Sequence, residues 1–241
     1  MAVVVFGGLA LLLVLRLVER PLFGLRRPVT PWITQGVCMA SLRLIGLRRD
    51  VRGAVMWDDG AVVANHVSWI DIFALNASKR VCFVSKSEVA DWPGIGWLAR
   101  ATGTLFIRRQ PRDAARQAEQ LAERLRIGHR LVFFPEGTST DGRRVLPFKA
   151  TLFAAFQAAD LARLRVQPVT LRYVAPPGER DDFYGWWGDR SFADSLLAVL
   201  AAKRQGRVEV IYHAPIRASS MPDRKALALA AETAVRAGLA R

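Results

Sequence analysis

The first pattern along the chain is an unbroken apolar run, residues 2–15, which ends at Arg16 and is followed by Arg20, Arg26 and Arg27. The run is shorter than the roughly 20 apolar residues that span a bilayer comfortably, although long arginine side chains snorkel and extend such a segment. A secretory signal is disfavoured, because no basic residue precedes the run and no small-x-small cleavage site follows it. Positive charge just after an apolar segment marks the cytoplasmic side. The expected location is therefore the cytoplasmic face of the inner membrane. A second apolar stretch, residues 31–47, carries Arg43 as its only charge. It reads as a second helix, packed on the first or lying in the membrane interface, or equally as an ordinary helix covering the core. The division expected is membrane-associated helices over residues 1–47 and one α/β domain over 48–241.

After a charged stretch with the turn signal Asp58-Asp59-Gly60, strand-like and helical patterns alternate. Short apolar runs predict strands at 60–64, 81–85, 104–107, 130–134, 165–173 and 206–213. Helical patterns occupy 71–77, 97–102, 112–127, 151–161, 192–202 and 223–237, with Ala114, Ala118, Leu121, Ala122 and Leu125 keeping the helical period. Strands separated by helices predict an α/β fold, with a mixed, largely parallel sheet covered by helices on both faces.

Composition narrows the picture further. With 51% hydrophobic residues the chain is no disordered segment. Cys38 and Cys82 form no disulfide or metal spacing, which fits a reducing compartment. Three histidines with no zinc-site spacing give no reason to expect a metal. A net charge of +14 suits an anionic partner, a membrane or a nucleic acid. The basic residues form no dense run interleaved with aromatics, so nucleic acid is not expected, and a non-catalytic anionic-lipid or nucleic-acid binding module is the remote alternative.

Candidate chemistry gathers where predicted strands end. His66 follows the apolar run 60–64, and Asp71 stands five residues later. Ligands bind beyond the carboxyl ends of strands in such sheets. A histidine there can take a proton near neutral pH, with a carboxylate holding its far nitrogen. Spacing of five is off-phase for one helical face, so His66 must precede a helix that has Asp71 in its first turn and Ser68 as a candidate N-cap. The bland alternative is a loop histidine beside an aspartate that favours the helix dipole. Arg108 and Arg109 end another strand. A guanidinium reads phosphate bidentately, and alternation along the strand turns only one of the pair toward a site. The segment Glu136, Gly137, Thr138 and Ser139 follows a third strand, where these residues suit either substrate hydroxyls or a capped turn. Lys149 is a further possible anion contact.

Asn65-His66-x4-Asp71, then residues 103–109, then Phe134-Pro135-Glu136-Gly137-Thr138, then Gln167-Pro168-Val169 resemble the four ordered blocks of the glycerolipid acyltransferases related to 1-acyl-sn-glycerol-3-phosphate acyltransferase. The resemblance covers residues 60–175, with Pro147-Phe148-Lys149 also matching. It implies acyl transfer from an acyl-carrier protein or coenzyme A thioester to a lysolipid hydroxyl, with the thioester a substrate and no cofactor. His66 would then be the general base and Asp71 its orienting partner. Arg109 would meet the acceptor's phosphate, and Glu136, Gly137 and Thr138 the acceptor, with Asn65, Arg108, Ser139 and Lys149 counted among the substrate contacts. Two departures bear on the acceptor. Ser139 stands where an arginine often follows the third block, and Arg108 where an acidic residue is common. The segment 183–189, rich in aromatics, resembles a stretch of the branch that acylates lyso-ornithine lipid. A patch resting on the membrane interface is its other reading. Lysophosphatidic acid, giving phosphatidic acid, ranks first as acceptor on the breadth of the blocks, with lyso-ornithine lipid the alternative.

Overall fold

The computed structural model describes residues 1–108 and 111–240. Helix α1 (Ala2–Phe23) runs beyond the apolar run and packs against α2 (Thr30–Ile45). Glu19 closes the turn between them. Its carboxylate accepts from the backbone N–H groups of Val29 and Thr30 (2.7 and 3.1 Å) and from the Thr30 hydroxyl (2.7 Å), which satisfies donors at the start of α2. Much of α1 faces outward, with Val3, Leu17 and Leu22 exposed. Among the described residues α1 is the one helix long and apolar enough to cross a membrane. The other side of α2 packs on α3 (Ile70–Ser78).

The sheet contains β1 (Arg48–Arg52), β2 (Gly60–Ala64), β3 (Cys82–Lys86), β4 (Leu105–Ile107), β5 (Leu131–Phe133), β6 (Arg165–Val174), β7 (Arg207–Tyr212) and β8 (Ile216–Arg217). Its order is β1-β7-β6-β2-β5-β3-β4, with β8 pairing β6. Every pairing is parallel except those of β6 with β7 and β8, so the sheet is mixed and largely parallel, as expected. The chain enters β2 tightly: a Cβ at Gly60 would stand 2.0 Å from the Arg165 carbonyl oxygen.

Alternate strand residues feed two cores. Val63, Phe133 and Val166 lie on one face, with Leu121 of α5 (Ala114–Arg126), Phe153 and Leu227 of α7 (Arg224–Leu239). Val62, Val132 and Leu171 lie on the other, with Leu42, Ile70 and Val199 of α6 (Phe192–Ala201). The short α4 (Ile95–Ala101) precedes β4. Two expectations are corrected. Residues 151–161 contain no α-helix; 3₁₀ turns occupy Leu152–Gln157 and bury Leu152, Phe153, Ala155 and Phe156, a pattern that suits a helical face of either kind, so the apolar spacing alone did not separate the two. Strand β1 went unrecognised because its residues are mostly charged, as suits an edge strand.

Phe153 is fully buried and packs edge-on against Phe133, with ring centroids 5.3 Å apart. Phe153→Ala should cost about 3–5 kcal/mol of stability, read as a lower midpoint in denaturant unfolding.

Candidate active site

Strand β2 is fully buried and ends at Ala64, so the chain leaves the middle of the sheet at Asn65 and His66. Both amide atoms of Asn65 are engaged with β6: Nδ2 donates to the Leu171 carbonyl (2.9 Å), and Oδ1 accepts from the Leu171 N–H (2.8 Å). Asn65 is 0% exposed, so the substrate contact expected there is corrected to a clamp between neighbouring strands.

His66 Nδ1 lies 2.7 Å from Asp71 Oδ2. The same oxygen accepts from the backbone N–H groups of Val67 (2.8 Å) and Ser68 (3.0 Å), and Oδ1 accepts from the Tyr173 hydroxyl (2.6 Å). The carboxylate is completely buried and accepts four bonds, so the proton between the pair belongs to Nδ1 and the lone pair to Nε2. Burial, and then the Asp71 charge, raises the Tyr173 phenol well above its ordinary value, which keeps it a donor. The His66 side chain is 20% exposed and stacks on Phe134, with ring centroids 4.1 Å apart. This arrangement can accept a proton at Nε2 and hold the resulting imidazolium. Helix α3 begins after Trp69 rather than Ser68; the Ser68 hydroxyl accepts from the Ile70 N–H at 3.3 Å.

Glu136 follows β5 and is 2% exposed. One oxygen accepts from the His66 N–H and the other from the Leu146 N–H, both at 2.7 Å. The contact expected with an acceptor is thus corrected: Glu136 braces the backbone of His66. The turn continues through Gly137 at φ 84, a left-handed conformation that favours glycine, and Thr138 is exposed. The Thr140 N–H donates to the His66 carbonyl at 2.9 Å. Ser139 is likewise spoken for, its hydroxyl donating to the Trp186 carbonyl, while the Trp186 N–H donates to the Val67 carbonyl at 2.8 Å. The aromatic segment therefore folds onto both loops of the site. Tyr184 is buried, Trp186 packs against Trp92 and Phe192, and Trp187 is 38% exposed.

Arg108 is exposed just after β4, three strand positions from β2 and so roughly 14 Å across the same edge. Arg109 lies outside the described residues. Lys149 is exposed, and its backbone N–H donates to the Pro135 carbonyl at 3.0 Å, which brings it beside the Glu136 turn. A cleft of about 320 Å³ opens beside Val67 and Tyr173, with Asp141, Asp181 and Arg143 on its walls. Tyr173 and the Trp186 loop were missed as site elements; a phenol near the carboxyl end of a strand beside β2 was the available signal for the first. Among the described residues no cluster of His, Cys, Asp or Glu is placed to hold a metal.

The family model described as Acyltransferase matches residues 57–172. The lyso-ornithine lipid O-acyltransferase of Rhodobacter capsulatus is 58% identical over 99% of this chain and 87% of its own length. The 1-acyl-sn-glycerol-3-phosphate acyltransferase of Neisseria gonorrhoeae is 35% identical, over 74% of this chain and 69% of its own. The crystal structure of a Thermotoga maritima 1-acyl-sn-glycerophosphate acyltransferase superposes with a TM-score of 0.68 at 21% identity, covering 99% of this chain and 89% of that one. The chain belongs to the acyltransferase family, and it is an enzyme of the class that its four blocks predicted. Of the two acceptors weighed from the sequence, these similarities back the ornithine lipid better than lysophosphatidic acid.

Burial raises the Glu136 carboxyl to about 7 from an ordinary 4.5, against the lowering effect of the two N–H bonds. A folded-state value above the unfolded one contributes stability below the unfolded pKa and loses it as pH rises through the folded one. Unfolding midpoints should therefore fall between pH 4.5 and about 7 in the native protein, and Glu136→Gln should flatten that slope.

Proposed function

We propose that this enzyme acylates the free hydroxyl of lyso-ornithine lipid, with lysophosphatidic acid as the second reading. The near full-length similarity to the Rhodobacter capsulatus enzyme carries the choice of acceptor. Two structural features support it. The aromatic segment that resembles the ornithine-lipid branch is hydrogen-bonded to Val67 and Ser139, so it shapes the ground next to His66. The adjoining cleft offers carboxylates at Asp141 and Asp181 and a guanidinium at Arg143. An amino-acid headgroup, which presents a carboxylate and an ammonium, finds both opposite charges there.

In the reaction His66 Nε2 takes the proton of the acceptor hydroxyl as its oxygen attacks the carbonyl carbon of an acyl thioester. The tetrahedral intermediate collapses with loss of the carbon–sulfur bond, and the departing thiolate takes the proton back from the imidazolium. The nucleophile belongs to the acceptor, so no acyl-enzyme forms. Asp71 and Tyr173 hold the ring and its tautomer, and Glu136 fixes the backbone that carries it. Arg108, Thr138 and Lys149, exposed beyond the carboxyl ends of the strands, offer polar groups to headgroup or donor, and Arg109 keeps only the role its block implies, contact with an acceptor's phosphate. The donor is an acyl-carrier protein or coenzyme A thioester. Helix α1 attaches the enzyme to the membrane, and the arginines after its apolar run put the domain on the cytoplasmic face.

His66→Ala takes one donor from the buried Asp71 carboxylate and should lower stability without abolishing the fold, and it should lower kcat by about a hundredfold to ten-thousandfold, measured with purified, folded full-length enzyme; turnover near that of the native enzyme would remove His66 from the mechanism. Offered each lysolipid with the same acyl donor, the enzyme should show a specificity constant at least about tenfold higher for lyso-ornithine lipid, a difference of about 1.4 kcal/mol in transition-state binding. A preference for lysophosphatidic acid would reinstate the other acceptor.

A further inference from the structure

A second cleft, of about 230 Å³, opens where β3 and β5 begin, at the edge of the sheet opposite His66. Arg80 precedes β3 and Arg130 precedes β5; the turn between α1 and α2 closes the cleft with Arg27, and the first turn of α2 adds Trp32. Three guanidinium groups thus line it, and no carboxylate does among the described residues. The cations are only partly satisfied. Arg27 donates to the Ala101 carbonyl at 2.6 Å, and Arg130 donates to the Trp57 carbonyl at 2.7 Å while its buried Nε–H has no acceptor. Arg80 stacks over Trp32, 3.7 Å from the ring centroid, and reaches Gln35 at 3.3 Å. Behind them lies Lys79, 1% exposed, with an Nζ that has no acceptor. Burial, and then the nearby Arg130 charge, lowers its pKa to about 8.

The remaining charges do not offset this surplus. His129 is 7% exposed and lines the cleft; Arg124 donates to its Nδ1 (3.1 Å), so the ring proton is on Nε2 and goes to the Leu25 carbonyl (2.9 Å). Of the nearby carboxylates, Glu19 is held by Arg16 and the start of α2 and Asp58 by Arg165 at 3.2 Å, while Asp59 is exposed to solvent; the pull of both aspartates on Lys79 is weaker than burial and the Arg130 charge. Buried donors without acceptors and cations without counter-charge are costly. An anion with several oxygens removes both costs at once, and arginine forks suit a phosphate. The cleft stands at the foot of α1, whose outward flank exposes Val14, Leu17, Val18 and Leu22.

We propose that this cleft binds the phosphate of an anionic phospholipid headgroup and so clamps the foot of α1 to the membrane surface. The source of the phosphate rests on the membrane attachment proposed above; nothing in the inference rests on the catalytic assignment.

The test compares purified full-length protein, Arg80→Gln/Arg130→Gln, and a control of equal charge loss at exposed sites, Arg163→Gln/Arg204→Gln. Each is titrated at physiological ionic strength with vesicles of phosphatidylcholine alone and of phosphatidylcholine with phosphatidylglycerol. Phosphatidylglycerol should tighten binding of the native and control proteins, and the cleft variant should lose about tenfold of that affinity, as expected for charged hydrogen bonds. Binding to phosphatidylcholine alone should be equal in all three, and its absence from all three would count against the α1 anchor instead. Equal losses in cleft variant and control, or no loss in the cleft variant, would overturn the site. Inorganic phosphate that competes as well as the lipid at equal concentration would make it a free-anion site and overturn the lipid assignment. Should the double variant fail to fold, Arg80→Gln alone is put through the same comparison.

Discussion

The buried carboxylate of Asp71 is the constraint on which the rest of the site depends. An anion withdrawn from water is costly by several kcal/mol unless every lone pair is used. Here the four donors come from three places: the His66 ring, two backbone N–H groups of the turn that follows β2, and the Tyr173 hydroxyl near the end of β6. Satisfying one charge therefore fixes where the turn lies, where α3 starts and which nitrogen of His66 stays free. The fold around it is rigid for the same reason, since a shift of any donor would leave a buried charge short of a partner.

The polar residues in and beside the four blocks divide by what their atoms still have available. Asn65, Glu136 and Ser139 are committed to the protein itself, joining strand to strand, turn to histidine, and turn to aromatic loop. Thr138, Lys149 and Arg108 are exposed, and the His66 side chain is 20% exposed. A motif position close to the chemistry thus need not touch a substrate. Much of the sequence signature describes how the loops at one edge of the sheet are held in register.

Strand-by-strand architecture was legible because β2, β3, β5 and β6 are short apolar runs between helical patterns, as a covered parallel sheet requires. What escaped was set by contacts between distant residues. β1 carries mostly charged side chains and is a strand because β7 pairs with it. Residues 152–157 carry an apolar spacing that an α-helical face and 3₁₀ turns share, so the pattern could not tell one from the other. The pairing of His66 with Asp71 could be inferred from local spacing, whereas Tyr173 reaches the same carboxylate from a hundred residues further along and leaves no local trace.

The pairing of β1 with β7 also orders events in time. Arg48 is in register with Arg207, so the edge of the sheet nearest the N-terminal helices cannot close until that far segment has left the ribosome. At about 5–20 residues per second, the interval is roughly 8 to 30 s. Throughout it α1 is already synthesised, its outward flank apolar, while much of the domain it will adjoin is still incomplete.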